Sequence, residues 1–384
     1  MIGVHFMEFV WGRYSGLFYS AVGVLLFIAV GILFGSFWFF FAIGFFLLFS
    51  IGLTDYFQKK RAVLGNFPLM GRFRFIFEAI RPELRQYFWE ADSDELPYSR
   101  NQRAMVYQRS KQILAARPFG SDENQYLEDF SWLNHSISPT RIEDDNFQIK
   151  VGVGRNAYNI SILNISGTSF GSISPKAIQA FSLGAKKGGF AHNTGEGSLS
   201  KYHEKGGGDT IWQISTGYFG CRTEDGKFDS AQFAEKAKLP QVKMIEIKLS
   251  QGAKPGHGGM LLGAKVSPEI AKTRNVPPYQ DVISPHKHSE FSTPGELLNF
   301  VEKLRNLSEG KPVGIKLCIG HPWELVSIVK AMVQTDIYLD FITVDGSEGG
   351  TGAAPVEFTD HLGSPLRDAI VFVDNALTGA GIRD

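Results

Sequence analysis

Forty-one consecutive residues between Arg13 and Asp55 carry no charged side chain. The run includes Val24-Leu25-Leu26-Phe27, Phe37-Trp38-Phe39-Phe40-Phe41 and Phe45-Phe46-Leu47-Leu48-Phe49. A spanning helix needs about 20 apolar residues, so the run has room for two, and Gly35-Ser36 near its middle marks a turn. A transmembrane hairpin is therefore expected over residues 1–56. Arg13 precedes it and Lys59-Lys60-Arg61 follow it. Because cationic flanks stay on the cytoplasmic side, both chain ends and whatever follows the hairpin are expected in the cytoplasm, at a bacterial inner membrane. A cleaved signal peptide would begin with a basic stretch and a short apolar core, and this sequence has neither.

Residues 57–146 form a basic, aromatic connector, with Arg72-Phe73-Arg74-Phe75 and Arg81-Pro82. Two readings stay open for its first part: an interfacial segment with its cations near anionic headgroups, or a packed helical connector. Pro82 and Pro97 are expected to break any continuous helix. From 99 to 116, Met105, Val106, Ile113 and Leu114 among charged residues suggest a half-buried helix.

From Phe147 onward the pattern changes. Strands are expected near 160–165, 189–192, 210–215, 244–249, 313–319 and 341–344, with helices at 175–187, 230–237, 294–307, 322–334 and about 365–379. Strand and helix in alternation mean an α/β protein with a parallel sheet. The repetition, with polar glycine-rich residues after each strand, suggests a (β/α)8 TIM-type barrel over 147–384, with its site at the strand C-termini. A doubly wound sheet would carry one dominant glycine fingerprint after its first strand, and Gly152-Val153-Gly154 does not extend to it.

Charge narrows the possibilities. The 39 basic and 39 acidic residues cancel, which argues against a nucleic-acid-binding protein, since that would show a basic stripe. Cys221 and Cys318 are too few for a zinc or iron–sulfur site of their own. His286 and His288 resemble a metal pair but lack a nearby carboxylate or cysteine, so no metal is expected there. His192 reads as a strand-end hydrogen-bonding residue.

The polar strand ends carry most of the functional signal. They read Gly167-Thr168-Ser169, Asn193-Thr194-Gly195-Glu196-Gly197, Ser215-Thr216-Gly217, Gln251-Gly252-Ala253-Lys254-Pro255-Gly256 and Gly349-Gly350-Thr351-Gly352. Glycine lets backbone approach a flat ligand closely, and freed N–H groups can bond its polar edge. Lys248, Lys254 and Lys316 sit in or just beyond strands, where a cation needs an anionic partner. Together these loops suit a large, planar, anionic cofactor.

These motifs, with Ile247-Lys248 and Ile283-Ser284-Pro285, resemble the FMN-binding synthase domain of glutamate synthases over Gly167 to Pro365. The whole chain is similar to glutamate-synthase-like relatives with an N-terminal membrane hairpin and a connector like Glu78-Ala79-Ile80-Arg81-Pro82-Glu83. The resemblance implies a barrel holding FMN that reduces 2-iminoglutarate, formed from 2-oxoglutarate and ammonia, to L-glutamate. It places Glu196 and Lys254 as catalytic residues, Lys254 clamping a substrate carboxylate and Glu196 carrying a proton or positioning the substrate. Ser169, Ser215, Lys248, Lys316, Gly349, Gly350 and Thr351 are the expected cofactor contacts.

Departures from the family pattern keep alternatives open. His257 and Met260 stand where glutamate synthases have a glutamate and a glutamine, which puts the substrate in question. No glutaminase domain or iron–sulfur cysteine cluster is present, and the electron donor is unidentified. A membrane-anchored flavin dehydrogenase of another small amino or carboxylic acid is one alternative, and an inactive scaffold or fragment is another. Only six barrel strands are expected before Asp384, so a truncated barrel that binds FMN poorly or not at all is anticipated.

Overall fold

The computed structural model describes residues 12–88, 98–113, 116, 118–128, 130–143, 147–254 and 258–383. The chain divides into two compact units, Met1–Asp145 and Asn146–Asp384.

In the first unit, helices Ser15–Phe34 and Phe39–Phe57 are joined by a tight turn at Gly35, whose φ of +114° suits glycine. Their contact is aromatic, with the Phe27 ring stacked 5.4 Å from both Phe41 and Phe45. Gly23 allows this approach, since a methyl group there would lie 2.3 Å from the Phe45 ring. Ile32, Phe34 and Phe40 remain more than 70% exposed. Both are long and apolar enough to cross a membrane.

Two expectations for the connector need correction. Helix Met70–Phe88 runs through position 82, because a proline inside a helix removes one hydrogen bond and bends the axis without forcing a stop. Pro97 lies outside the described residues. Helix Arg100–Ser110 starts at a Ser99–Gln102 capping box, but it is not half-buried: Met105 is 53% and Val106 67% exposed. Leu114 lies outside the described residues.

The second unit contains nine strands among its described residues: β1 Gln148–Val151, β2 Tyr158–Ser161, β3 His192–Asn193, β4 Thr210–Ile214, β5 Val242–Lys248, β6 Met260–Leu261, β7 Val282–Ile283, β8 Val313–Cys318 and β9 Ile342–Asp345. Strands β3-β4-β5-β8-β9 pair in parallel as a curled half-barrel. β1–β2 is a small antiparallel hairpin, and β6–β7 is a two-residue antiparallel pair with helix Pro268–Arg274 between its strands. Helices Pro175–Gly188, Ser230–Ala237, Pro294–Leu307 and Pro322–Thr335 fill the expected connections. Three of them open with Pro at the first turn, where its missing N–H costs nothing.

The strand expected at 160–165 is largely absent. Its first part belongs to the β1–β2 hairpin, and only Ile165 bridges to His192. Asn164 is the physical cause. Its side chain donates to Ser161 O at 2.6 Å and accepts from Ala191 N at 3.0 Å, taking the place of a backbone ladder step. The parallel sheet therefore has five strands and one bridge rather than six strands.

Alternation along the strands sorts side chains into two sets. Trp212, Ile214, Ile245, Ile247, Val313, Ile315 and Leu317 pack outward against the helices in the main core. The opposite set stacks in layers along the barrel interior. Ile211, Met244 and Phe341 form an apolar floor with Val151, Tyr158 and Ile160 of the β1–β2 hairpin. Above it, Asn193, Gln213 and Thr343 converge on Glu246. Lys248, Lys316 and Asp345 lie at the strand C-terminal ends, and these face the cleft described next.

Candidate active site

The polar middle layer holds the mouth in place. Glu246, 1% exposed, accepts from Asn193 Nδ2 at 2.9 Å and Gln213 Nε2 at 2.6 Å on one oxygen, and from Thr343 Oγ1 at 2.6 Å on the other. One carboxylate thus joins β3, β4, β5 and β9, and three donors offset its desolvation. Asn193 Oδ1 in turn accepts the Gly195 N–H at 2.9 Å, which sets the turn that presents Glu196. Gly195 has φ +59°, and a methyl group there would lie 2.8 Å from Ser169 N. Only glycine allows the Glu196 turn to sit so closely on the Gly167–Phe170 loop.

The mouth is a ring of opposite charges. Lys248 Nζ lies 3.1 Å from Glu196 Oε2 and also bonds Gln251 Oε1, while Lys316 Nζ lies 3.4 Å from Asp345 Oδ1. Asp345 Oδ2 accepts from Gly252 N at 3.1 Å, tying the β5 loop to β9. Lys254, 3% exposed, donates to Gly258 O at 2.9 Å. Burial raises the Glu196 carboxyl, but Lys248, with Lys254 and Arg274, more than offsets this and holds it below its usual value. Glu196 is therefore ionised at neutral pH. Burial lowers the Lys254 ammonium, the attraction of Glu196 opposes this, and Lys248 adds to the lowering.

Two cavities meet at this ring. The larger, about 620 Å³, is lined by Ser169, Glu196, Lys248, Lys316 and the Gly349-Gly350-Thr351-Gly352 loop, with Gln213 beneath and Met260 at one side. This volume is in the range of small-molecule sites. The smaller, about 30 Å³, is lined by Ser215, Lys254, Gly258, Gly259 and His286, and shares Glu196, Lys248 and Gln251 with the first. Among the described residues, Ser215 Oγ, in the wall of the small cavity, and Ser284 Oγ are buried with no hydrogen-bond partner. An unpaired buried hydroxyl is costly, and the Ser215 hydroxyl is open to a polar group placed in the small cavity. Gly259 closes the gap between the cavities, since a methyl group there would lie 2.4 Å from Glu196 Oε1.

All nine residues singled out from the sequence line one of these cavities. Ser169, Lys248, Lys316, Gly349, Gly350 and Thr351 border the cleft, Ser215 and Lys254 border the small cavity, and Glu196 borders both, as does Lys248. Gln213, Glu246 and Asp345 were missed. Their signal was a polar residue inside an otherwise apolar strand, Trp212-Gln213-Ile214 or Ile245-Glu246-Ile247, which a buried position permits only with partners. Met260 lies in β6 and lines the cleft at 47% exposure. His257, the other departure, lies outside the described residues.

His288 has no ring nitrogen left for a metal. Nδ1 is 3.1 Å from Tyr218 Oη and Nε2 is 2.9 Å from Lys248 O. His192 bonds Thr168 Oγ1 through Nε2 at 3.3 Å, in keeping with a strand-end role. Burial lowers His288 to about 4, against about 6.5 in an unfolded chain. Between these values only the unfolded state takes up the proton. The contribution of His288 to stability is therefore complete above about pH 6.5 and declines as pH falls towards 4, by about 1.4 kcal/mol per pH unit. Comparing urea midpoints of the wild-type chain and His288→Gln from pH 7 to 5 should show a shallower pH slope in the variant. Equal slopes would contradict this placement.

The fold and site define an α/β protein whose parallel half-barrel carries a charged, glycine-rimmed cleft at its strand C-termini. Comparison with known proteins sharpens that class. The conserved region of glutamate synthases matches residues 129–384. A glutamate synthase large subunit-like protein of Bacillus subtilis is 37% identical over 87% of this chain and 71% of its own length. The archaeal NADPH glutamate synthase of Methanocaldococcus jannaschii is 32% identical over 67% of this chain, and an archaeal-type enzyme of Thermotoga neapolitana 36% over 56%. The chain spans 47% and 39% of the length of those two relatives. The carboxyl transferase domain of Rhizobium etli pyruvate carboxylase aligns at TM-score 0.26 and 13% identity over 55% of this chain and 33% of its own, too distant to bear on fold or function. The chain belongs to the glutamate synthase family.

Proposed function

We propose that this chain is a membrane-anchored, FMN-dependent oxidoreductase that forms L-glutamate from 2-oxoglutarate and ammonia through 2-iminoglutarate. One observation carries the reading: a cleft large enough for a flavin ring adjoins a small anion-suited cavity, with the Glu196–Lys248 pair on their shared wall. The anchor rests on the two exposed apolar helices.

The donor set suits FMN. Lys248, Lys316, Gln213, Ser169 and the bare backbone of Gly349 to Thr351 face the cleft, and they match a planar ring edged with carbonyl and imide groups. Lys316 would balance negative charge on the reduced ring, with Asp345 fixing its position. FMN, when bound, supplies hydride transfer.

The remaining roles belong to the chain. Lys254 with the Ser215 hydroxyl would hold one substrate carboxylate in the small cavity, which has room for about one water or a carboxylate end. The ionised Glu196 would accept the N–H of the protonated imine and orient its carbon toward the cleft. A depressed carboxyl is a poor acid, so this positioning role suits Glu196 better than proton donation. Met260 in the cleft favours a second reading, since a thioether cannot donate to a substrate carboxylate. In that reading the site oxidises or reduces another small amino or carboxylic acid.

Flavin binding is the first test. Titration of the purified chain with FMN should quench flavin fluorescence saturably, and Lys316→Met should weaken binding about tenfold, the loss of one charge-assisted hydrogen bond. The absence of saturable quenching would count against both readings.

A further inference from the structure

We propose that helix Met70–Phe88 lies flat on an anionic membrane surface, its apolar stripe in the acyl boundary and its arginines among the headgroups. The proposal rests on the reading that the two preceding helices are membrane-inserted.

Phe73, Ile76, Phe77 and Ile80 recur at i, i+3, i+4 and i+7, so they share one helix face. They are 51, 53, 59 and 42% exposed, an apolar stripe that nothing among the described residues covers. Around the helix, Arg74 and Arg81 flank the stripe on one side and Arg72 and Glu83 on the other. Arg74 pairs with Glu78 at 2.9 Å and Arg72 with Asp55 at 2.7 Å, which leaves the net positive charge to the segment as a whole. Residues 59 to 88 hold seven basic side chains and two acidic ones, Glu78 and Glu83. A helix with one apolar face bordered by cations binds at the headgroup boundary, and anionic lipid strengthens that attachment. This resolves in favour of the interface the two readings that the sequence leaves open.

An elbow ties this helix to the end of the apolar pair. Asp55, the last-turn residue of Phe39–Phe57, is 1% exposed. It accepts from Arg72 Nε at 2.8 Å, from Arg72 Nη2 at 2.7 Å and from Leu69 N at 3.2 Å. A buried carboxylate persists only when so paired. The Leu69 side chain closes on Gly52, where a methyl group would lie 3.2 Å from its Cγ. The start of helix Met70–Phe88 is thereby held beside the end of the second apolar helix, within reach of one bilayer face. Arg61 stacks over the Phe75 ring at 4.6 Å, adding a cation at the same elbow.

Depth measurement by spin labels on the full chain tests this. Cys221 and Cys318 are buried, so single cysteines introduced at exposed positions label selectively. Labels at Ile76, Phe77, Ile80 and Glu78 report the surface helix, and labels at Leu25 and Leu47 report the hairpin. In vesicles of phosphatidylcholine with phosphatidylglycerol, the oxygen-to-nickel accessibility ratio at 76, 77 and 80 should exceed that at 78 several-fold. It should fall when phosphatidylglycerol is omitted. Equal ratios at all four positions, with 25 and 47 in lipid, would overturn the surface helix and leave the hairpin standing. Water-exposed labels at 25 and 47 would overturn both. A stripe shielded from both reagents would mean a protein partner, a second copy included, and would overturn the membrane assignment. Ratios indifferent to phosphatidylglycerol would overturn the anionic requirement.

Discussion

Lys254→Met should lower kcat/KM for glutamate formation about 100- to 1000-fold, corresponding to roughly 3–4 kcal/mol for a buried charge that meets a carboxylate. Most of the loss should appear in KM, because a clamp on a non-reacting carboxylate binds ground state and transition state alike. The flavin spectrum should be unchanged, since Lys254 lines the small cavity and not the cleft. Lys254→Arg keeps the charge, but its planar fork does not fit the place of a compact ammonium 2.9 Å from Gly258 O, so partial recovery is expected. Steady-state rates with 2-oxoglutarate and ammonium, alongside FMN titration, separate these effects. A Lys254→Met enzyme with unaltered KM would remove Lys254 from the site.

Glu246→Leu should destabilise the second unit by about 3–5 kcal/mol, although Glu246 lines neither cavity. The substitution keeps the approximate volume and leaves the Asn193, Gln213 and Thr343 donors unpaired in the barrel interior. Glu246→Gln should be much milder. Its amide oxygen can accept from Asn193 and Gln213 while its amide nitrogen donates to the Thr343 hydroxyl, which can rotate to accept. Urea unfolding of the three proteins decides the point, and equal losses in both variants would refute the hydrogen-bond account. Because Asn193 also sets the Gly195–Glu196 turn, Glu246→Leu should impair flavin binding at temperatures where the protein is still folded.

The strands and the mouth of this site were legible from local signals. β5 and β8 carry Val and Ile and a lysine near the C-terminal end, Lys248 and Lys316, and glycine or small polar residues follow the strands. The middle layer was not legible, because its members are local exceptions. Glu246 interrupts an apolar strand, and its partners at 193, 213 and 343 are joined only by the order β3-β4-β5-β8-β9. Asn164 likewise shows no local sign that its side chain replaces a ladder step. One wall of the small cavity, Gly258, Gly259, Pro285 and His286, flanks the β6–β7 pair, whose two-residue strands are too short to leave a period in the sequence. Pro82 misled through a rule that is statistical: one lost hydrogen bond does not outweigh a 19-residue helix. The exposed side chains of Arg100–Ser110 show that a helical period does not itself imply a partner to bury it.

The central claim is that Lys254 and Glu196 would hold the imine substrate in the small cavity, with its carbon turned toward a cleft whose residues would hold FMN, the group that would supply hydride transfer. A single-turnover experiment tests it most directly. The FMN-loaded chain is reduced anaerobically and mixed with 2-oxoglutarate and ammonium, while flavin absorbance and glutamate are followed together. The account predicts that oxidised-flavin absorbance returns as L-glutamate forms, one molecule per flavin, and that omitting either ammonium or 2-oxoglutarate abolishes both signals. Flavin that stays reduced with this pair, yet is reoxidised by a different imino or oxo acid, would contradict it.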